Sequence, residues 1–204
     1  MTLRLASALV VLSLSATAIR AQSPAPYQPI TAKGRLKWTV RGTIGPKSLI
    51  GGVISAGWDT GIDRPWEYGP HWEGFGKRFG IHLTSQATSH LMEAGLGAAW
   101  GEDPRYFRAA EGQPFKNRAG RVIKMTFVAL DSEGHGRPAY ARYAAFTGSA
   151  FLTNTWRADS VSTPARATRR IGSDFLGRMV SNALSEFWPD IRRTVFRRNP
   201  KPTP

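Results

Sequence analysis

The sequence predicts an all-α fold, and two observations lead to this prediction. Between residues 31 and 198 the apolar side chains recur mostly at three- and four-residue spacing, which is the period of a helix face. Alternating apolar and polar residues bounded by hairpin turns, the pattern of a half-buried strand, are not found. We therefore predict a single compact multi-helix bundle over residues 31 to 198.

Gly and Pro divide the first half of this region into helices. The first helix is expected to begin near Thr31 and to stop at Gly45-Pro46, where Pro46 suits the first turn of a second helix. Residues 63 to 72, DRPWEYGPHW, contain two Pro and one Gly and predict an irregular aromatic loop. A long helix is expected to follow over residues 74 to 100.

The second half contains three further predicted helices. Asp103-Pro104 has the form of an N-cap followed by a first-turn proline. The segment DSEGHGRP, residues 131 to 138, is typical of a turn. Pro189 is expected to kink or interrupt the last helix. These three helices are expected over residues 115 to 130, 139 to 156 and 163 to 188.

Small residues recur at four-residue spacing inside the predicted helices. A glycine lowers helix stability by about 1 kcal/mol relative to alanine, so these helices are expected to depend on tertiary contacts. Rows of small residues let two helix backbones approach closely. The bundle should therefore be held by Gly/Ala-rich helix contacts. The rows are Gly57 with Gly61, Ala94 with Ala98, and Gly97 with Gly101.

The N-terminus predicts export. Residues 1 to 21, MTLRLASALVVLSLSATAIRA, have the basic start, short apolar run and small residues of a secretory signal peptide, with an uncleaved anchor as the alternative. We expect residues 22 to 30 to form a Pro-rich tether and residues 199 to 204 a disordered tail. The predicted location is the periplasm or cell envelope. The chain has no cysteine, which excludes disulfides and thiol chemistry.

The net charge of +14 predicts anionic partners. Nucleic acid would be the first expectation for a cytosolic chain of this charge, whereas an exported chain meets membrane headgroups and envelope proteins. We therefore predict an anionic membrane surface or an envelope protein as the partner, and no nucleic acid. The oligomeric state is left open.

The stretch IHLTSQATSHLMEA, residues 81 to 94, places its polar side chains on one side of a helix. One interpretation is an ordinary amphipathic surface helix with its apolar side turned inward. The other is a polar seam inside the bundle, in which Glu93 accepts a hydrogen bond from His82 or His90 and thereby favours a protonated, pH-sensitive histidine. Asn154 and Asn182 are candidate partners of the seam. The polar side chains are His82, Gln86, Ser89, His90 and Glu93.

Signatures of catalysis are scarce. The sequence contains no phosphate-binding P-loop, no G-x-S-x-G elbow and no H-E-x-x-H zinc motif. We predict neither a metal site nor a cofactor. A non-enzymatic structural or interaction role is therefore the leading interpretation. An envelope hydrolase is the alternative, with His82, His90 and Glu93 as its acid/base groups.

The C-terminal segment FWPDIRRTVFRR, residues 187 to 198, mixes aromatic and basic side chains. This combination is typical of a helix that lies on an anionic membrane surface. The alternative is a terminal helix that packs its aromatic rings into the bundle and leaves its arginines in water. The candidate membrane or partner surface consists of Trp188, Arg192, Arg193, Phe196, Arg197 and Arg198.

Three short motifs carry a resemblance to other proteins. They are GFGKRFG at residues 74 to 80, DPRYFR at residues 103 to 108 and EFWPDIRR at residues 186 to 193. With these motifs the chain, over residues 31 to 198, resembles a group of exported proteins from bacteria with two-membrane envelopes. The group has no established activity, so the resemblance implies an envelope location and a helical fold but no catalytic residue.

Overall fold

The computed structural model describes residues 27 to 195, which form a helical bundle with one small antiparallel sheet. The all-α prediction is confirmed for this part of the chain. The helices are α1 Ala32–Ile44, α2 Pro46–Gly61, α3 Trp72–Trp100, α4 Phe115–Phe127, α5 Tyr140–Leu152 and α6 Pro164–Val195. The strands are β1 Val128–Leu130 and β2 Gly136–Pro138, and short 3-10 turns occupy Trp66–Tyr68, Thr153–Trp156 and Asp159–Val161.

The first helix boundaries follow the local chemistry of the sequence. The side chain of Thr31 accepts a hydrogen bond from the backbone N–H of Gly34 at 3.1 Å, which caps the start of α1. Gly45 is extended and ends α1, and Pro46 occupies the first turn of α2 as predicted. In the last helix Pro189 neither interrupts nor ends the element, because α6 continues to Val195.

Two local predictions are wrong. The sequence showed no hairpin, yet β1 and β2 pair after α4 has ended three residues earlier than expected. The Asp131 carboxylate stabilises the intervening turn by accepting the backbone N–H groups of Glu133 and His135, both at 2.9 Å. Asp103 does not cap a helix either. Its backbone N–H donates to the Leu130 carbonyl at 2.8 Å, and no helix follows it before α4.

The long helix α3 is the central element of the bundle. It packs against α1 and α2, which also contact each other, and against α5. α6 packs on α4 and α5, so that α5 lies between the two longest helices. Tyr27, which falls within the predicted tether, also contacts the bundle through an edge-on contact with Phe107 at 5.5 Å between ring centroids.

The helices meet mainly through small residues, as predicted, and of the predicted rows Gly97 makes a close approach: a Cβ there would lie 3.0 Å from Nη1 of Arg35 on α1. Gly57 and Gly61 have open space around them, and Ala98 is exposed. Further close approaches occur at Gly42 and Gly52, which receive side chains of α3. The buried apolar residues are Ala56, Val122, Met125, Ala129, Ala139, Ala141, Ala145, Phe146, Ala150 and Ala167.

Candidate functional site

The polar side of α3 lies inside the bundle and part of its apolar side lies outside. Ser89 and Glu93 are buried, whereas Leu91 between them is 60% exposed. The interpretation of α3 as an ordinary amphipathic surface helix is therefore wrong. The helical period was predicted correctly, but the polar stripe is the stripe that faces the neighbouring helices.

Glu93 is the centre of a buried ionic cluster that joins three helices. Its carboxylate is only 2% exposed. One oxygen, Oε1, accepts a hydrogen bond from Nε of Arg142 on α5 at 2.9 Å, and the other, Oε2, pairs with Arg178 on α6. The predicted hydrogen bond from His82 or His90 is absent from the described residues. The prediction of a polar seam is correct in its burial and wrong in its partners.

The two arginines extend this cluster to the rest of the core. Nη1 of Arg142 donates to the carbonyls of Met125 at 2.9 Å and Thr126 at 2.8 Å, which satisfies backbone acceptors in the last turn of α4. The Arg178 guanidinium lies over the Trp38 ring, 5.4 Å from its centroid. Burial lowers the pKa of Arg178 to about 10. The cluster thus ties α3, α4, α5 and α6 together.

The two asparagines that were candidate seam partners are used elsewhere. Nδ2 of Asn182 donates to Thr126 Oγ1 at 3.3 Å, within the buried contact between α4 and α6. Asn154 pairs with Arg170 through its side-chain oxygen. Neither contacts His82, His90 or Glu93 by a hydrogen bond.

His90 packs against α1 at Gly42, where the absence of a side chain leaves room for the imidazole. A Cβ atom added to Gly42 would lie 2.8 Å from Cε1 of the imidazole. The Trp38 ring meets the imidazole edge-on at 5.0 Å between centroids, and Thr43 Oγ1 lies 3.5 Å from Nδ1. Burial, reinforced by the charge of Arg178, lowers the pKa of His90 to about 4. The expected protonated histidine is therefore a neutral packing residue.

His82 has the same relationship to α2. A Cβ atom on Gly52 would lie 2.8 Å from Cδ2 of His82 and 3.0 Å from Cε2 of Phe79. Burial and the charge of Arg157 lower the pKa of His82. The two histidines of α3 therefore pack against one glycine each, His90 on α1 and His82 on α2.

His90 and Glu93 do not line the cavity that contains His82. Glu93 is sealed by its two arginines and His90 by the α1 contact, while His82 lines a small cavity between α3, α5 and α6. No cluster of three metal-ligating side chains occurs within residues 27 to 195. An acid/base mechanism that uses all three residues has no common pocket in which to operate.

Each of the three motifs contributes a buried charged residue to the fold. Arg78, in GFGKRFG, donates to the backbone carbonyls of Arg64 at 3.0 Å, Pro65 at 2.8 Å and Gly69 at 2.6 Å. It also pairs with Asp63. Arg78 thereby fixes the aromatic loop between α2 and α3.

The second motif, DPRYFR, anchors the segment between α3 and α4. The buried Asp103 carboxylate accepts hydrogen bonds from Arg105, as close as 2.6 Å, and from the Tyr27 hydroxyl at 3.1 Å. Burial and the nearby Asp103 charge raise the pKa of Tyr27 to about 12. The tether residue Tyr27 is held to the bundle by this contact.

The third motif, EFWPDIRR, is linked to the second. Glu186 Oε2 accepts hydrogen bonds from the Tyr106 hydroxyl at 2.9 Å and from the Ala109 N–H at 3.1 Å. Nε of Arg118 donates to Oε1 at 2.9 Å. Burial opposes ionisation of Glu186, but these donors lower the pKa of its carboxyl overall. The sequence did not predict these roles, because the partners of Glu186 lie 68 to 80 residues away along the chain.

At the C-terminal end of α6, one aromatic residue packs into the bundle and the other is exposed to solvent. Phe187 packs against Phe115 at 5.2 Å between ring centroids, as the packing alternative expects. Trp188 is 51% exposed, and Arg192 and Arg193 are exposed beside it, as the membrane-surface interpretation expects. The other predicted members of this surface, Phe196, Arg197 and Arg198, lie outside the described residues.

Large apolar side chains line the outer sides of α1, α2 and α6. Each helix carries them at three- and four-residue spacing, so each has a continuous exposed apolar stripe. The stripes are Leu36, Val40 and Ile44 on α1; Ile50, Val53, Ile54, Trp58 and Ile62 on and just after α2; and Leu176, Val180, Leu184, Trp188, Ile191 and Val195 on α6. Within residues 27 to 195, no helix combines the length and apolar character needed to cross a bilayer.

Comparison of the chain with protein-family models, with curated proteins and with solved structures finds no match in any of the three.

Proposed function

We propose that the protein is an exported, non-enzymatic envelope protein that binds an anionic membrane surface through the exposed apolar stripes and the basic side chains beside them. The observation that carries this proposal is the arrangement of α1. Its apolar residues face outward at four-residue spacing, and its basic residues form a second stripe next to them. An amphipathic helix of this kind lies in the headgroup region of a bilayer without crossing it.

The outer side of α1 has the composition of a membrane-surface helix. Leu36 is 63% exposed, and Val40 and Ile44 follow on the same side. At about 100° per residue, the exposed Lys33, Lys37 and Arg41 form a parallel stripe beside these three residues. Each such cation near an anionic leaflet contributes about 1 kcal/mol to binding. Apolar insertion and charge attraction would therefore act together on one helix.

The neighbouring helix α2 extends the apolar area. Its inner side is built from small residues, with Gly52 and Ala56 buried against the bundle. Its outer side carries the largest side chains of the helix, including Trp58 at 70% exposure. A helix that faces water is expected to have the reverse arrangement. An apolar medium outside α2 explains why the large residues are on that side.

The C-terminal end of α6 adds an aromatic and basic element. Trp188 has a large aromatic ring and an indole N–H. Side chains of this kind favour the boundary between lipid headgroups and acyl chains. Arg192 and Arg193 follow it by four and five residues on α6 and are exposed. This end of α6 supplies further contacts for an anionic surface.

The proposed location is the periplasmic side of an envelope membrane. The leader-like residues 1 to 21 and the resemblance to exported envelope proteins support it. The sealed positions of Glu93 and His90 favour a non-enzymatic role over the envelope hydrolase, because acid/base groups need access to a substrate.

Vesicle flotation tests the proposal. The mature chain is mixed with vesicles of neutral lipid alone or of neutral lipid with an anionic phospholipid, at physiological and at high ionic strength. We expect flotation with the anionic vesicles, partly reversed by salt because surface charges are screened. Absence of flotation with both vesicle types would contradict the proposal. Equal flotation with both vesicle types, unaffected by salt, would show that apolar insertion alone drives binding and would contradict the role proposed for the basic side chains.

A further inference from the structure

A polar cavity lies between α3, α5 and α6 and is separate from the outer apolar stripes. Its volume is about 100 Å³. α3 supplies His82 and three polar neighbours, α5 supplies Ser149, and α6 supplies Arg170 and Asp174, with Arg157 from the turn after α5. Polar walls of this kind are unusual for a simple packing defect, since an empty cavity in a protein is apolar.

Arg157 is held in place at the wall of the cavity. Its Nη2 donates to Ser85 Oγ at 2.7 Å, and its Nε approaches Thr153 Oγ1 at 3.4 Å. Burial and the charge of Arg170 lower the pKa of Arg157, so two guanidinium groups are kept near each other in a partly dehydrated site. A nearby anion would relieve this repulsion.

Arg170 is also anchored at the wall of the cavity. Its Nη1 donates to the Val161 carbonyl at 2.8 Å and its Nη2 to the Ala150 carbonyl at 2.8 Å. Its Nε is buried and has no hydrogen-bond partner among the described residues. Because this atom is inaccessible to solvent, Arg170 contributes its charge to the cavity and not this donor.

Asp174 is the acidic side chain of the cavity. Its carboxylate makes no hydrogen bond or ion pair with another residue between 27 and 195. Burial raises the pKa of Asp174 to about 6, although Arg157, Arg170 and Arg178 act in the opposite direction. Asp174 is therefore largely protonated under mildly acidic conditions, and the cavity then has an excess of positive charge.

We propose that this cavity binds a small oxyanion, a sulfate, phosphate or carboxylate group, between the side chains of Arg157 and Arg170. Guanidinium groups bind such anions through paired N–H donors. The hydroxyls of Ser85 and Ser89 lie in the same walls and provide further donors, whereas the Ser149 hydroxyl donates to the Phe146 carbonyl. The cavity is partly open to solvent and has room for one such group.

Binding of the anion is coupled to the protonation of Asp174. An ionised carboxylate in the cavity repels the anion, whereas the protonated acid can donate a hydrogen bond to it. The other groups that face Asp174 are the charged Arg157, Arg170 and Arg178 and, across the cavity on α3, His82, whose pKa is lowered by burial. α5 contributes only hydroxyl and methyl groups. Asp174 is thus the group in the cavity whose ionisation opposes the anion.

Titration calorimetry with sodium sulfate tests this proposal, because sulfate keeps the same charge between pH 5.5 and 7.5. Sodium chloride at equal ionic strength is the reference. We expect saturable sulfate binding at pH 5.5 and roughly 20-fold weaker binding at pH 7.5, where few molecules carry a protonated Asp174. Titration heats for sulfate that match those for chloride at both pH values would overturn the proposal. The cavity would then be interpreted as water-filled.

Two variants assign the effect to the cavity. Arg157→Gln should weaken sulfate binding at least tenfold, while Arg166→Gln, the same charge change at an exposed position of α6, should not. Asp174→Asn should bind sulfate equally at both pH values, because asparagine stays neutral. Equal losses in both arginine variants, or an unchanged pH dependence in Asp174→Asn, would contradict the proposal. The Asp174→Asn result decides the question even if Arg157→Gln does not fold.

Discussion

His90 on α3 lies directly against Gly42 on α1, at a distance that leaves no room for a side chain at residue 42. A Cβ there would be 2.8 Å from Cε1 of the imidazole and 3.0 Å from both ring nitrogens. The ring is also confined by Trp38, which meets it edge-on. The histidine that suggested an acid/base group thus has a packing role, and its neighbour must be glycine.

Gly42→Ala should therefore destabilise the fold. The added methyl forces the imidazole to shift, and overpacking of this kind costs about 1–3 kcal/mol, partly offset by the better helix propensity of alanine. The matched control is Gly57→Ala on α2, where the added methyl meets open space and should stabilise by up to about 1 kcal/mol. Urea unfolding of both variants measures the difference. Equal effects of the two substitutions would show that the contact between His90 and Gly42 leaves room for a methyl group.

Glu93→Gln should be strongly destabilising. The substitution removes the negative charge that Arg142 and Arg178 share and leaves two buried guanidinium groups without a counter-ion. Breaking a buried ion pair in this way costs about 3–5 kcal/mol. Glu73→Gln, which removes an exposed pair with Lys77, is the control and should change the unfolding midpoint little. A midpoint for Glu93→Gln close to that of the control would contradict the central role of the cluster.

The depressed pKa of His90 makes stability depend on pH. The ring stays neutral in the folded state down to about pH 4, whereas an unfolded histidine takes up a proton near pH 6.5. The unfolded state therefore binds more protons between these values. The contribution of His90 is complete above about pH 6.5 and is lost as the pH falls, by at most about 3 kcal/mol. His90→Gln should flatten the dependence of unfolding free energy on pH in this window.

Asp174 acts in the opposite direction. Its folded-state pKa of about 6 lies above the unfolded value near 4, so the folded state binds more protons between these values. Stability is therefore lost as the pH rises through this window. Asp174→Asn should raise the free energy of unfolding at pH 7.5 by at most about 3 kcal/mol and leave it unchanged at pH 3.5. The pH effects of His90 and Asp174 on the free energy of unfolding partly cancel. The effect of His90 is therefore best measured in the Asp174→Asn background.

The parts of the fold that local chemistry decides were predictable. The Gly45-Pro46 step ends one helix and begins the next through backbone geometry alone, and Gly101 ends α3 in a left-handed conformation. Asp103-Pro104 has the same local form as a helix start, yet Asp103 is taken up by Arg105 and Tyr27. At Asp103 the tertiary contact with Tyr27 therefore outweighs the local preference to start a helix.

The orientation of the helices could not be predicted from their period. A helical wheel shows which residues share a side of α3, but it gives the same pattern whether that side faces solvent or the bundle. The choice depends on Arg142 and Arg178, which lie far along the chain and supply the partners that make burial of Glu93 possible. The cavity around Arg157, Arg170 and Asp174 is likewise assembled from distant segments.

The most direct test of the proposed function is flotation of α1 variants with anionic vesicles. The triple variant Lys33→Gln, Lys37→Gln and Arg41→Gln removes the basic stripe beside Leu36, Val40 and Ile44. At about 1 kcal/mol per cation, partition onto anionic vesicles should fall on the order of 100-fold. The control variant Arg108→Gln, Lys116→Gln and Lys124→Gln makes the same charge change at exposed positions outside α1.

We predict that the α1 variant loses vesicle binding while the control variant keeps most of it, with both proteins folded by circular dichroism. Full binding by the α1 variant, or the same loss in both variants, would contradict docking through α1.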